Sequence, residues 1–143
     1  MFWAAGSGEI VTKNRTPPLP TATSSNSDRP IWGYLAWVDG VLFGSTANSE
    51  HVVTYRYVNR GGDMTTQFTE STGMFAIDTR TGAPLWSYQA RDSIRHNSIA
   101  IADGKVFLID RPLALFDREK KPKSKEHPTG KLVALDARTG RKL

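Results

Sequence analysis

The sequence predicts an all-β fold of four-stranded antiparallel sheets, and three observations support this. Apolar residues occur in short runs of strand length, without the i, i+3, i+4, i+7 spacing of an amphipathic helix. Two Asp-Gly pairs each lie between two such runs. The pattern Ala-x-Asp-x-Arg-Thr-Gly-x-x-Leu then occurs twice, in "MFAIDTRTGAPLW" (74–86) and "LVALDARTGRKL" (132–143).

The composition sets limits on function. A chain of 143 residues with 38% hydrophobic content fits one domain with a modest core. No apolar run approaches the roughly 20 residues of a membrane-spanning helix, so we expect no membrane insertion. The absence of cysteine excludes disulfides and thiolate metal sites, although it leaves the cellular compartment open.

The positive charge is concentrated in one stretch. Six cations and two anions lie between Arg118 and Lys131, so this stretch carries +4 of the net charge of +5. It contains two prolines and no aromatic residue, which favours a solvated connection over a nucleic-acid surface. We therefore expect no nucleic-acid partner, and the role of the basic loop stays open.

Each Asp-Gly pair predicts a tight hairpin, because this dipeptide tolerates the positive φ angles of such turns. The pairs lie in "YLAWVDGVLFGS" (34–45) and "SIAIADGKVFLI" (98–109). The two segments match at Ala36/Ala100, Asp39/Asp103, Gly40/Gly104 and Phe43/Phe107.

The ten-residue pattern predicts a second hairpin after each Asp-Gly hairpin. Its aspartate can accept hydrogen bonds from backbone N–H groups in the turn, its threonine can do so more weakly, and its glycine supplies a left-handed conformation. These residues are Asp78, Thr81 and Gly82 in the first copy and Asp136, Thr139 and Gly140 in the second. Two hairpins in fixed order give four strands, A to D.

The Asp-Gly hairpin followed by Ala-x-Asp-x-x-Thr-Gly-x-x-x-Trp resembles the blade repeat of quinoprotein-like, PQQ-type β-propellers. The full motif occurs as Ala76, Asp78, Thr81, Gly82 and Trp86, and the second copy supplies Ala134, Asp136, Thr139 and Gly140. The resemblance implies that these residues build blades and hold no cofactor. It also implies a partial propeller, because a closed ring needs about four to eight blades.

On this resemblance, residues 31–90 form a complete blade and residues 91–143 a second blade, truncated before its last strand. Residues 1–30, rich in Pro, Ser and Thr, are expected to be a linker or the remnant of a preceding blade. The expected partners are the remaining blades of the same chain and other envelope proteins. The resemblance also suggests a bacterial periplasm or cell envelope.

The family includes two functional classes. Quinoprotein dehydrogenases hold PQQ and calcium and oxidise alcohols or sugars, whereas scaffold members bind proteins and have no cofactor. The vicinal cysteine pair of many alcohol dehydrogenases is absent here, since the chain contains no cysteine. We therefore expect a non-catalytic binding or scaffold module, with no cofactor or metal held by these residues. A fragment of a PQQ-dependent dehydrogenase is the alternative.

Candidate site residues follow from the strand order, which places the B-to-C and D-to-A connections on one face. The B-to-C connections, about 46–72 and 111–130, are long, and such loops often carry function. The first contains "HVVTYRYV" and "MTTQFT", which predict a small hairpin of its own. His51 and His127 lie in these loops and have no metal-ligand spacing.

The resemblance implies a central channel lined by the A strands. The D-to-A connection "ARDSIRHNS" (90–98) is expected to place three polar residues at the mouth of this channel, where the first unit has Ile31, Trp32 and Gly33. Trp32 is a further candidate for ligand binding. Arg95 could pair with a carboxylate or phosphate, His96 could act as a base or metal ligand, and Asn97 could orient a polar ligand. The alternative is that they hydrogen-bond neighbouring strand ends.

Overall fold

The computed structural model describes residues 31–48, 69–112 and 129–143, together with four short strands outside these ranges. The strands are β1 (Phe2–Trp3), β2 (Ile10–Thr12), β3 (Trp32–Val38), β4 (Val41–Ala47), β5 (Val52–Val53), β6 (Gln67–Phe68), β7 (Glu70–Asp78), β8 (Pro84–Arg95), β9 (Ala100–Ala102), β10 (Lys105–Asp110) and β11 (Lys131–Asp136). A single turn of 3-10 helix covers His96–Ser98. In the described part, no helix is long and apolar enough to cross a membrane.

The main strands form two antiparallel units in chain order. In the first unit β3, β4, β7 and β8 pair with their neighbours, and in the second unit β9, β10 and β11 do the same. Asp110 opposite Ile94 is the pairing between β10 and β8 that links the units. The main strands thus form one continuous seven-stranded antiparallel sheet. The fold is all-β, as predicted, and is compatible with partial propeller blades.

The Asp-Gly turns are confirmed in both units. Asp39 and Asp103 have φ angles of 48° and 49°, and the glycines that follow them are also in the left-handed region. Ala36 pairs with Phe43 in the first unit, as Ala100 pairs with Phe107 in the second. Both hairpins thus have the same turn and the same register.

The second type of turn also forms as predicted. The Asp78 carboxylate accepts backbone N–H bonds from Arg80 and Thr81, each at 2.9 Å. Asp136 accepts the equivalent bonds at 3.0 and 2.8 Å. Gly82 and Gly140 close the turns with φ angles of 73° and 69°. Because these bonds stabilise the charged carboxylates, the pKa values of Asp78 and Asp136 are lowered.

The last strand of the first unit is longer than expected. The sequence predicts that it ends near residue 90, whereas β8 continues through Arg95 and reaches the second unit. Its pairing with β7 is interrupted by extra residues, which are held by the Asp110 carboxylate. This carboxylate accepts the backbone N–H groups of Arg91 at 2.7 Å and Asp92 at 2.9 Å. The irregular segment therefore gains hydrogen bonds that the β7 ladder does not supply.

The two units stack face to face over one apolar core. We call the side of the first unit that meets the second its front face. The front face supplies Val41, Phe43, Met74, Ala76 and Trp86, and the second unit supplies Val106, Leu108, Val133 and Leu135. Aligned on Gly40/Gly104 and Ala76/Ala134, these residues of the second unit correspond to Leu42, Gly44, Phe75 and Ile77 of the first.

Those four positions point to the opposite side of the first sheet, because side chains alternate along a strand. We call this opposite side the back face. The front face of the first unit therefore packs on the back face of the second, so both sheets stack in the same direction. This arrangement is the one expected of neighbouring blades in a partial propeller.

Candidate functional site

The predicted site lies at one end of the sheets, where β4, β8 and β10 end and β3, β7 and β11 begin. The strand pairings fix this end, which we call the loop end: Trp32 opposite Thr46, Ser71 opposite Ile94, and Asp110 opposite Lys131. The hairpin turns occupy the other end, called the turn end. Both long connections leave from the loop end.

The first long connection is shorter than predicted, because β4 continues through Ala47 and β7 begins at Glu70. Inside it, Val52–Val53 pairs antiparallel with Gln67–Phe68, as expected for a small hairpin. In the second connection, residues 113–128 lie outside the described residues and include most of the basic stretch. The predictions for His51 and His127 also fall outside them.

Arg95 lies at the loop end and pairs with a carboxylate of the protein itself. Its Nε atom is 3.2 Å from Oε1 of Glu70, whose side chain is only 2% exposed. The other Glu70 oxygen accepts the Ser93 hydroxyl at 2.9 Å. Because a buried carboxylate is costly without partners, this pair stabilises Glu70.

His96 contacts the start of the first strand through a chain of hydroxyl groups. Its Nε2 is 2.7 Å from Oγ of Ser71, and the Ser71 hydroxyl donates to Oγ of Ser45 at 2.8 Å. Ser45 also accepts the backbone N–H of Tyr34 at 2.7 Å. The chain links three strands and the 3-10 turn at the loop end.

Gly33 makes room for this arrangement. A Cβ atom at residue 33 would lie 2.6 Å from His96 Nε2 and 2.8 Å from the hydroxyl oxygens of both Ser45 and Ser71. Such distances are too short for a non-bonded carbon. The close approach of the imidazole to the backbone therefore requires glycine at the start of the first strand.

The environment of His96 favours its neutral form. Burial lowers the pKa of the imidazole, and this effect outweighs the opposing influence of the Glu70 charge and of a hydrogen bond to the Glu70 backbone. Ser71 and Ser45 are fully buried. The Ser71 hydroxyl is therefore closed to a substrate in spite of its histidine neighbour, and the group serves to connect strands.

Trp32 and Asn97 differ in their surroundings. Trp32 packs edge-on against Phe75, with ring centroids 5.2 Å apart. Asn97 is exposed and lines a shallow cleft of about 370 Å³. The cleft is bounded by Arg95, Asn97, Ser98, Ile109, Arg111 and Gly130. Two arginines and an amide make it suited to a polar or anionic group of a ligand or partner.

The family resemblance suggests a calcium site in some members. The described residues of this chain do not by themselves supply the ligands for one. Calcium takes about six to eight oxygen ligands, usually with several carboxylates. No group of three or more potential metal-ligating side chains occurs among residues 31–48, 69–112 and 129–143. The buried carboxylate near the predicted site, Glu70, is already bound by Arg95 and Ser93.

Four deeply buried polar residues that organise the loop end are not predicted by the sequence. They are Ser45, Glu70, Ser71 and Ser93, none more than 1% exposed. Glu70 and Ser71 precede the apolar run Met74–Ile77 and resemble loop residues in the sequence. No local pattern marks them, because their partners are distant along the chain.

Comparisons with known proteins identify no relative. No family model, no curated protein and no solved structure matches this chain.

Proposed function

We propose that this chain is a non-catalytic binding or scaffold module of a PQQ-like β-propeller, and that its loop end receives a protein partner. The proposal rests on the contacts that the candidate residues make within the protein. Arg95 pairs with Glu70, His96 bonds to Ser71, and Trp32 packs on Phe75. All three contacts are made to residues of β7, so these side chains are held against the sheet.

The loop end has the properties of a recognition surface. Both long connections leave from it, and loops on a rigid scaffold commonly carry binding residues. Asn97 is exposed on a short helical turn. The His96 N–H ties this turn to the Thr69 carbonyl, and the Ser98 hydroxyl closes the turn by donating to the Arg95 carbonyl. A partner therefore meets a preorganised surface, which lowers the entropy cost of binding.

Site-specific photocrosslinking tests this proposal. A photoreactive amino acid at Asn97 should give a discrete adduct with an envelope protein when the purified chain is mixed with a bacterial envelope extract. The matched control is the same group at Ala83, which is exposed at the turn end. Excess unmodified chain should remove the adduct from position 97. Equal adduct patterns at both positions would contradict the assignment of the loop end.

The competing enzymatic function is tested separately. The full-length protein is incubated with PQQ and calcium and assayed for dye reduction with a panel of alcohols and sugars. We expect no turnover above a heat-denatured control. Turnover that depends on both PQQ and substrate would replace the scaffold proposal with a quinoprotein dehydrogenase.

A further inference from the structure

The cleft at the loop end has a counterpart in the first unit, and His96 fills that counterpart. The imidazole lies beside Gly33, where a Cβ atom would be 2.6 Å from Nε2. The hydroxyl oxygens of Ser45 and Ser71 border the same space, each 2.8 Å from that Cβ position. The first unit thus receives a side chain from the connection that leads into the second unit.

The corresponding positions of the second unit lie at the cleft. Aligned on the two pairs of turns, three positions correspond between the units: Gly33/Asn97, Ser45/Ile109 and Ser71/Thr129. Asn97 and Ile109 line the cleft, and Thr129 immediately precedes the lining residue Gly130. The cleft therefore lies at the place in the second unit where the first unit receives the imidazole.

The two places differ in the charge around them. In the first unit Ile31 and Ala47 are joined by a backbone hydrogen bond of 2.8 Å. Their equivalents in the second unit are Arg95 and Arg111, and both arginines line the cleft. Guanidinium groups bind anions through charge-assisted hydrogen bonds. The exchange of apolar side chains for guanidinium groups therefore favours an anionic group at the cleft, where the first unit holds an imidazole.

The neighbouring carboxylates set the charge of that group. Glu70 pairs with Arg95 and so offsets one of the two guanidinium charges. Asp110 lies between Ile109 and Arg111 in the chain, so its side chain points to the other side of the strand, where it accepts backbone N–H groups of β8. The balance of charge among the described residues thus matches a single negative charge. A carboxylate carries that charge at neutral pH, whereas a phosphate monoester carries about −1.5 to −2.

We propose that the cleft binds the carboxylate of an aspartate or glutamate side chain of the partner, through Arg95, Arg111 and the Asn97 amide. A guanidinium has five N–H donors, so the contact of Arg95 with Glu70 is compatible with a second carboxylate. The acidic side chain enters the second unit as His96 enters the first. This inference rests on the proposed function of the loop end and names the group that the partner inserts.

Fluorescence anisotropy with short labelled peptides tests the chemistry on the purified chain without any extract. One peptide has a central Asp-Glu pair, and the matched peptide has Asn-Gln in its place. The acidic peptide should bind, and the amide peptide should bind about tenfold more weakly, because it cannot form charge-assisted hydrogen bonds as a carboxylate does. Equal affinity for the two peptides, or no binding of the acidic one, would overturn the proposal.

Two substitutions test whether the acidic peptide binds at the cleft. Arg111→Gln removes a positive charge from it, and the control Arg138→Gln removes the same charge from the exposed turn end. Asn97→Asp adds a negative charge at an exposed position with little change of shape, and its control is Ala83→Asp at the turn end. Each cleft variant should bind about tenfold more weakly, and each control should bind like wild type.

Near-ultraviolet circular dichroism establishes that each variant is folded. Because Asn97 is exposed, its variant provides the test even if Arg111→Gln unfolds the chain. Unchanged affinity in Asn97→Asp would place the peptide elsewhere on the chain and overturn the proposal.

The crosslinking experiment then tests whether the partner supplies the carboxylate. Excess acidic peptide should remove the adduct from position 97, and the amide peptide should not. An adduct that resists the acidic peptide would overturn the proposed carboxylate contact and leave the loop end as the binding surface. Absence of any adduct would instead contradict the proposed function, so the two failures are distinguishable.

Discussion

Trp86 of the first unit donates its indole N–H to the backbone carbonyl of Ala137 in the second unit, at 2.9 Å. The bond crosses the interface between the stacked sheets, and the indole is only 9% exposed. The ring also covers Gly140, where a Cβ atom would lie 2.6 Å from the indole Cγ. The side chain thus joins the last strand of one unit to the Asp-x-Arg-Thr-Gly turn of the other.

Alanine substitutions at two glycines should separate the effect of the contact between Trp86 and Gly140 from the effect of backbone strain. Gly104 and Gly140 have nearly equal φ angles, 67° and 69°, but a Cβ at Gly104 meets nothing within 4 Å. Gly104→Ala should cost about 1 kcal/mol of unfolding free energy, because the left-handed conformation is strained. Gly140→Ala should cost about 1–3 kcal/mol more, because the methyl group overlaps Trp86. Urea denaturation measures both, and equal losses would show that Trp86 does not constrain the turn.

The carboxylate of Asp110 should be essential to the irregular part of β8. Asp110→Ala removes the acceptor for the N–H groups of Arg91 and Asp92, and we expect a loss of about 2–4 kcal/mol of unfolding free energy. The control is Asp92→Ala, since this side chain is exposed and lies 4.0 Å from Arg91. It should change the free energy by no more than about 0.5 kcal/mol. Similar effects of both substitutions in chemical denaturation would contradict this role.

Because of His96, the stability of the fold should decrease at mildly acidic pH. Its pKa in the folded state lies below the ordinary value of 6.5 because the ring is buried. Its contribution is therefore fully present above pH 6.5 and is lost as the pH falls towards the folded pKa, since the unfolded chain binds the proton first. The slope cannot exceed about 1.4 kcal/mol per pH unit.

The matched variant is His96→Gln, which keeps a polar side chain without a titratable ring. Its unfolding free energy should decline less than that of wild type between neutral and mildly acidic pH. Parallel curves for the two proteins would show that His96 titrates normally in the folded state.

Tyr88 should influence stability at the alkaline end of the pH range. Burial, followed by the charge of Asp110 and a hydrogen bond to it, raises the pKa of Tyr88 from 10.0 to about 12. The contribution of Tyr88 is therefore intact below pH 10.0 and is lost as the pH rises through about 12, because the unfolded chain ionises first. The free-energy difference between wild type and Tyr88→Phe should be constant up to pH 10.0 and shrink above it. A constant difference throughout would refute the raised pKa.

The sequence by itself determined the local structure, because the turns use residues that lie next to one another in the chain. Asp39-Gly40 and Asp103-Gly104 contain their own preference for positive φ angles, and Asp78 and Asp136 cap turns only two and three residues away. These local features predict the all-β class and the order of the hairpins. They also predict that Arg95, His96 and Asn97 lie at the loop end.

The tertiary structure decided what the polar residues contact and which faces are covered. Glu70 is distant from Arg95 along the chain, and the register of β7 against β8 brings the two side chains together. Met74 and Leu132 occupy the same place in their motifs, yet the first is buried and the second exposed. The difference in their exposure depends on whether another sheet packs over the residue. A pattern of neighbouring residues specifies turns and strand faces, but burial and ion pairing depend on surfaces that only the folded chain brings into contact.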